Sequence, residues 1–349
     1  MNCFRVWLWI VTKAKNIEGR KKTIEDGRKM EMHHISERYN SIFPMMKEDI
    51  WREILKHIEH VTEIRIRAGK PILIYMDQKE ISIDAEGRLL YVPRKGKRFS
   101  YQEIQQLFDF WCQDSRYAFQ NEIRNGFLTI EGGHRIGICG EVVSDEEGKV
   151  QTIKYISSLS IRVAHEKKGV AKEIMQYIHK EDQIKNTLIV SPPGAGKTTL
   201  LRDVVWYLSN GDEIHSGVNV GLVDERGEIA ACFQGIPQLD VGVRTDVLDN
   251  CKKVVGMRML LRSMSPRVIA VDELGDEEEI RLIQQMAGNG CMVIATIHGN
   301  SIEELRQKKM LRELWEKSLF ENIVLLSKKN HIFHKEVYSN GGKDLYYSC

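Results

Sequence analysis

The stretch Leu188-Ile189-Val190-Ser191-Pro192-Pro193-Gly194-Ala195-Gly196-Lys197-Thr198-Thr199-Leu200-Leu201 limits the fold more than any other part of the chain. An apolar run, a tight glycine-containing loop and a helical continuation come in the order that a phosphate-binding P-loop demands. Glycine lets backbone N–H groups approach phosphate oxygens with no Cβ in the way, and a helix N-terminus adds a field that favours anions. Residues 191–199 are therefore expected to hold the phosphates of ATP, with Lys197 on the β- and γ-phosphates and Thr198 on Mg²⁺. The strict pattern has Gly at its first position, where this chain has Ser191. A serine serves there if its φ is negative.

A second piece lies 75 residues beyond Lys197, in Val268-Ile269-Ala270-Val271-Asp272-Glu273. A buried apolar strand that ends in two acids can bring one carboxylate to Mg²⁺ and a second to the attacking water. Asp272 is expected on the metal side and Glu273 as the base. Asp224-Glu225-Arg226 closes a further strand, Asn219–Asp224, and offers Glu225 as another carboxylate near the γ-phosphate. The competing reading is a solvated turn before a helix at Glu228–Cys232. His298, ending Val293-Ile294-Ala295-Thr296-Ile297-His298, is read as a sensor of the γ-phosphate or of the Glu273 water, or else as a surface histidine.

Four arginines are candidates to reach the transferred phosphate, where cations count most. Arg258 and Arg262 share one face of a helix whose other face carries Met257, Leu260, Leu261 and Met264; the plainer alternative is a solvated face. Arg135 and Arg162 sit on strands of an earlier domain and are candidates to reach across to a nucleotide.

Periodicity divides the chain. Residues 1–42 carry no element pattern and read as a basic extension, disordered or translated from an over-extended start, with Met30, Met32 and Met45 as later ones. Residues 43–165 read as a small α+β domain, with helices at Met46–Ile58, Tyr101–Cys112 and Arg116–Arg124. Its strands are expected at Thr62–Arg67, Ile72–Met76, Leu89–Val92, Phe127–Ile130, Arg135–Val143 and Ser158–Val163. Residues 166–183 read as a linker ending in a docking helix. Residues 184–328 alternate strands (Thr187–Val190, Asn219–Asp224, Val268–Val271, Met292–Thr296) with helices (Lys197–Ser209, Val254–Met264, Glu277–Ala287, Ile302–Glu316). That alternation marks an α/β core with a mostly parallel sheet. Residues 329–349 form a polar C-terminal tail, expected as a loose hairpin.

Charge narrows the function. The chain has 51 Lys and Arg against 49 Asp and Glu, a formal +2. Residues 1–30 hold eight of the basic and three of the acidic residues, so the rest is slightly acidic. No specific nucleic-acid partner is expected of such a body. Seven cysteines without a CxxC pair suggest neither a disulfide frame nor a zinc site, and buried thiols are expected. No apolar run approaches the ~20 residues of a membrane span. Cys3–Val11 is short, interrupted by Arg5, and is read as an interfacial anchor or as part of the over-extended start.

Taken together, these strings resemble the secretion-type traffic ATPases, the motors of type II and type IV secretion and pilus machines. The resemblance rests on the P-loop, on Gly256-Met257-Arg258 through Arg262-Ser263-Met264-Ser265-Pro266, on Val271-Asp272-Glu273-Leu274-Gly275-Asp276-Glu277 and on Ala295-Thr296-Ile297-His298. The chain is still more similar to one branch, the stage III sporulation protein AA family of endospore-forming bacteria. The strings that carry this are Val223-Asp224-Glu225-Arg226-Gly227-Glu228-Ile229-Ala230, Val241-Gly242-Val243-Arg244-Thr245-Asp246, Glu63-Ile64-Arg65-Ile66-Arg67-Ala68-Gly69-Lys70-Pro71 and Gly132-Gly133-His134-Arg135-Ile136-Gly137. The resemblance spans about residues 45–330. It implies a RecA-like core behind the smaller domain, assembled as a homo-oligomeric ring, hexameric by analogy. It also implies a cytoplasmic protein docked on membrane-embedded stage III channel subunits between mother cell and forespore, using ATP and Mg²⁺. The rivals are an ATP-driven nucleic-acid remodeller and a nucleotide-gated scaffold that turns over negligibly.

Overall fold

The computed structural model describes residues 39–42, 48–180, 182–307, 311, 319–329, 332–339 and 344–348. The chain divides into two compact units, Met1–Ala164 and His165–Cys349.

In the first unit, α1 (Glu48–Lys56) turns Ile50 and Ile54 inward at helical spacing. The strands are β1 (Val61–Arg67), β2 (Leu73–Met76), β3 (Lys79–Ile83), β4 (Leu89–Leu90), β5 (Phe127–Ile130), β6 (His134–Ser144) and β7 (Val150–Arg162), and the helices between β4 and β5 are α2 (Tyr101–Trp111) and α3 (Gln120–Arg124). The strands form one antiparallel sheet in the order β4-β3-β2-β1-β7-β6-β5. Helix α2 starts on a capping box, Ser100 with Glu103, which satisfies two donors that would otherwise be left open. Arg135 and Arg162 face each other across the β6–β7 ladder, and Arg135 also stacks on Phe127, 3.7 Å from the ring centre. The first half of β7 and all of β3 go beyond the expected strands.

Part of the stretch expected to be an extension is built into this unit. Tyr39 and Ile42 are buried, Ser41 donates to the Glu131 carbonyl at 2.6 Å, and the Trp111 indole donates to the Ser41 carbonyl at 2.9 Å. The expected boundary after residue 42 therefore falls too late, because two apolar side chains and two hydrogen bonds tie 39–42 to the body. Residues 1–38 lie outside the described residues.

The second unit opens with α4 (Lys172–Ile178) and the short pair β8 (His179–Lys180) and β9 (Gln183–Ile184). Next come β10 (Thr187–Ser191), α5 (Lys197–Asn210), β11 (Val220–Asp224), β12 (Thr245–Asp249), α6 (Lys253–Ser263), β13 (Val268–Val271), α7 (Glu277–Gly288), β14 (Met292–His298), α8 (Ile302–Gln307), β15 (Asn322–Lys329), β16 (Ile332–Ser339) and β17 (Asp344–Ser348). The sheet runs β12-β11-β13-β14-β10-β15-β16-β17, parallel from β12 to β15 and antiparallel beyond. Alternate strand residues face opposite sides. Ile189, Leu222, Ala270 and Ile294 pack with α4 and α5, while Leu188, Val223, Ile269 and Val293 pack with α6, α7 and α8.

Within residues 166–183, expected as a linker ending in a docking helix, α4 buries Ile174, Met175 and Ile178 in the core of this unit. Two expectations change here. The tail 329–349 is not a loose hairpin but two strands that widen the main sheet, with Val337 fully buried. No helix forms at Glu228–Cys232, because the Asp224 carboxylate takes the N–H groups of Glu228, Ile229 and Ala230 at 2.8–2.9 Å. Helix α8 is described only over Ile302–Gln307; most of the remainder of its expected length lies outside the described residues.

Candidate nucleotide site

The loop expected to hold phosphate leaves β10, which lies inside the sheet between β14 and β15. Ser191 is fully buried and its backbone is outside the left-handed region, so this position does not need glycine. Gly194 (φ +73°) and Gly196 (φ +88°) do need it. A Cβ at either would meet no atom within 4 Å, so conformation and not space selects glycine there. Pro192, Pro193 and Ala195 complete the loop, and α5 opens on Lys197, Thr198 and Thr199.

Asp272 follows β13 and collects three partners. Lys197 Nζ donates to Oδ1 at 3.1 Å, Thr198 Oγ1 donates to Oδ2 at 2.8 Å, and the Thr296 hydroxyl of the intervening β14 also donates to Oδ1. Two sequence-distant pieces thus meet because β14 sits between β10 and β13. A hydroxyl and a carboxylate are hard oxygen donors of the kind Mg²⁺ takes when phosphate oxygens and water complete its shell. The residues present fit that ion.

Glu273 has an unusual backbone, with φ +57° for a residue carrying a full side chain. Such a conformation costs on the order of 1–3 kcal/mol and persists only where neighbours enforce it. Here Thr296 Oγ1 accepts its N–H at 2.8 Å and Lys253 Nζ donates to its carbonyl at 2.6 Å. The side chain is held as well: Arg226 Nη1 is 2.7 Å from Oε2, and His298 Nε2 meets Oε1.

Lys253, at the start of α6, is largely buried and also pairs with Glu279 at 3.0 Å and Glu225 at 3.5 Å. Its position depends on a close helix–sheet approach: a Cβ on Gly256 would lie 2.6 Å from Val223 Cγ1. Glu225 is exposed and pairs with Lys253. Burial pushes the Asp224 carboxyl up, against the downward pull of its three N–H donors. Asp249, opposite it in the β11–β12 register, is raised to about 6 by burial and by the Asp224 charge, and its Oδ1 is buried with no hydrogen-bond partner.

The core arginines are placed otherwise. Arg258 is exposed and pairs with Glu278 of α7 at 3.0 Å, and Arg262 is exposed in the last turn of α6. Sequence reasoning missed Thr296, Lys253, Glu279 and the role of Arg226. Thr296 was within reach, since it shares a strand face with His298 two residues on. Lys253 and Glu279 carry no local signal. Of the described cysteines, Cys112, Cys232 and Cys291 are buried, with thiols pushed up by burial to about 12, 12 and 11; Cys139 is exposed, contrary to expectation, and Cys251 is partly so.

Residues 36–345 match the family model described as Sporulation stage III, protein AA. The chain is 37% identical over 268 residues to the stage III sporulation protein AA of Bacillus subtilis (strain 168), covering 77% of this chain and 83% of that protein. It is similar in structure to the pilus retraction motor PilT with bound ADP (TM-score 0.54, 16% identity, 84% of this chain and 83% of that one). It is also similar to the Legionella pneumophila ATPase DotB (TM-score 0.51, 17% identity, 85% and 82%). The structural likenesses show the fold, a RecA-like P-loop core with a mostly parallel sheet.

Proposed function

Because the chain belongs to the sporulation stage III protein AA family, we propose that it is an ATP-hydrolysing motor of a secretion-like membrane complex in endospore formation. The observation that carries the chemistry is the convergence of Lys197 and Thr198 from the P-loop helix on Asp272, with Glu273 next in sequence and held by Thr296 and Lys253. The family relatives and the fold of the solved motors support the rest of the reading.

In this proposal the backbone N–H groups of 194–199 and the N-terminus of α5 cradle the phosphates. Lys197 exchanges its bond to Asp272 for the β- and γ-phosphate oxygens. Thr198 and Asp272 would hold Mg²⁺, which when bound offsets phosphate charge. The Glu273 carboxylate accepts a proton from water as the water oxygen attacks the γ-phosphorus; the bond to the bridging oxygen breaks and ADP leaves. His298 orients that carboxylate. The family's ring assembly would let Arg258, Arg262, Arg135 or Arg162 complete a neighbouring site.

Among the described residues no helix is long and apolar enough to cross a membrane. Docking on membrane-embedded stage III subunits at the cytoplasmic face is part of the proposal and explains the use of ATP at that place. ATP turnover by the purified full chain, alone and with membranes carrying those subunits, tests it. No turnover under either condition would overturn the motor and leave the nucleotide-gated scaffold.

A further inference from the structure

Both oxygens of the Glu273 carboxylate are engaged, by Arg226 on Oε2 and by His298 on Oε1. A carboxylate that must hold a water and take its proton needs one oxygen aimed at that water. Each of the two contacts takes up one of the carboxylate's few acceptor positions and so competes with that water for the carboxylate. His298 ends β14, in the middle of the sheet. Arg226 stands on a turn, its side chain is 67% exposed, and it is followed by Gly227 at φ +62°. Arg226 is the partner that can leave at little cost, because exposed ion pairs are weak and screened by salt.

We propose that Arg226 is a brake on the reaction: a positioning residue that holds the Glu273 carboxylate in competition with the attacking water, so that turnover speeds when it lets go. This rests on Glu273 being the base of the proposed ATPase. Arg226 acts through Glu273 and is not assigned a contact with nucleotide. The brake limits the chemical step and leaves ATP binding to the P-loop untouched. Its strength is that of an exposed pair, so releasing it speeds turnover by about threefold to fivefold.

The test uses the full chain at saturating ATP and compares wild type with Arg226→Ala, Arg226→Gln and Arg226→Lys. Expected is a threefold to fivefold rise in kcat for Ala and Gln, with ATP affinity within twofold of wild type. Lys, which keeps the charge and can still pair, stays near the wild-type rate. Salt supplies a readout that a merely structural role would not move. From about 0.05 M to about 0.5 M ionic strength, the wild-type kcat rises toward that of Arg226→Ala, whose own kcat stays flat. An unchanged or lowered kcat in Arg226→Ala, with Glu273-dependent turnover intact in wild type, overturns the brake and leaves the ATPase reading standing. Absence of turnover in every variant overturns both.

Discussion

The buried ammonium of Lys253 donates to the backbone carbonyl of Glu273 at 2.6 Å, across twenty residues of sequence. This bond is one of two that hold a left-handed backbone at the proposed base, the other being the acceptance of the Glu273 N–H by Thr296. The same ammonium is the counter-charge of Glu279, whose side chain is only 6% exposed.

Lys253→Met should therefore do two separable things. Leaving Glu279 buried without its cation should cost about 3 kcal/mol or more, a fall in melting temperature of at least about 6 °C for a body of this size. Turnover should fall about tenfold or more with ATP affinity kept, since the carbonyl of Glu273 loses its anchor. Adding Glu279→Gln should recover much of the melting temperature and none of the turnover. Recovery of both would show that Lys253 matters only for stability.

Removal of the proposed base should separate binding from chemistry. Glu273→Gln should bind ATP as wild type does and lose turnover by about 10²-fold or more. Lys197→Ala should lose ATP binding in titration calorimetry while melting cooperatively. Hydrolysis that survives in Glu273→Gln would move suspicion to Glu225, the other carboxylate expected near the γ-phosphate.

Asp249 gives a pH dependence with a definite sign. Its folded value, about 6, lies above its ordinary 3.8 because the ion is buried beside Asp224. Between those values the folded chain binds the proton and the unfolded chain does not, so stability falls as pH rises from about 4 to past 6. Partial solvent access leaves a cost on the order of 1 kcal/mol at pH 8. Asp249→Asn should melt a few degrees above wild type at pH 8, and the gap should close toward pH 4. A gap that widens on acidification would contradict this.

The arginines can be tested by mixing. An arginine that closes a neighbour's site should be worth about 10³–10⁵-fold in rate and little in ATP affinity, because its contact forms in the transition state. Inactive Arg135→Ala, Arg162→Ala, Arg258→Ala or Arg262→Ala protein is combined with inactive Glu273→Gln. A trans-acting arginine gives mixed rings with some complete sites, and activity partly returns. No recovery with any of the four would exclude shared sites built on them.

The sequence displayed what is contiguous and hid what is assembled. The P-loop and the strand ending in Asp272 could be read because strand, loop and charge stand next to each other in the chain. Arg226, Lys253 and Glu279 could not, because each acquires its meaning from a partner on another element. The strand Thr245–Asp249 escaped notice because two aspartates in five residues at a sheet edge erase the apolar pattern. Asp224 misled in the other direction: its carboxylate captures three N–H groups and so replaces the helix expected after it.

The place of β10 also bears on synthesis. Its hydrogen-bonded neighbours, β14 and β15, lie about a hundred and more residues downstream. A chain emerging from the ribosome has made the whole phosphate loop long before either flanking strand exists, and long-range parallel pairing is slow to form. The proposed nucleotide pocket is therefore finished only when translation is nearly over. A nascent chain halted before residue 292 should therefore not bind ATP, so that the proposed nucleotide site would be completed only near the end of synthesis.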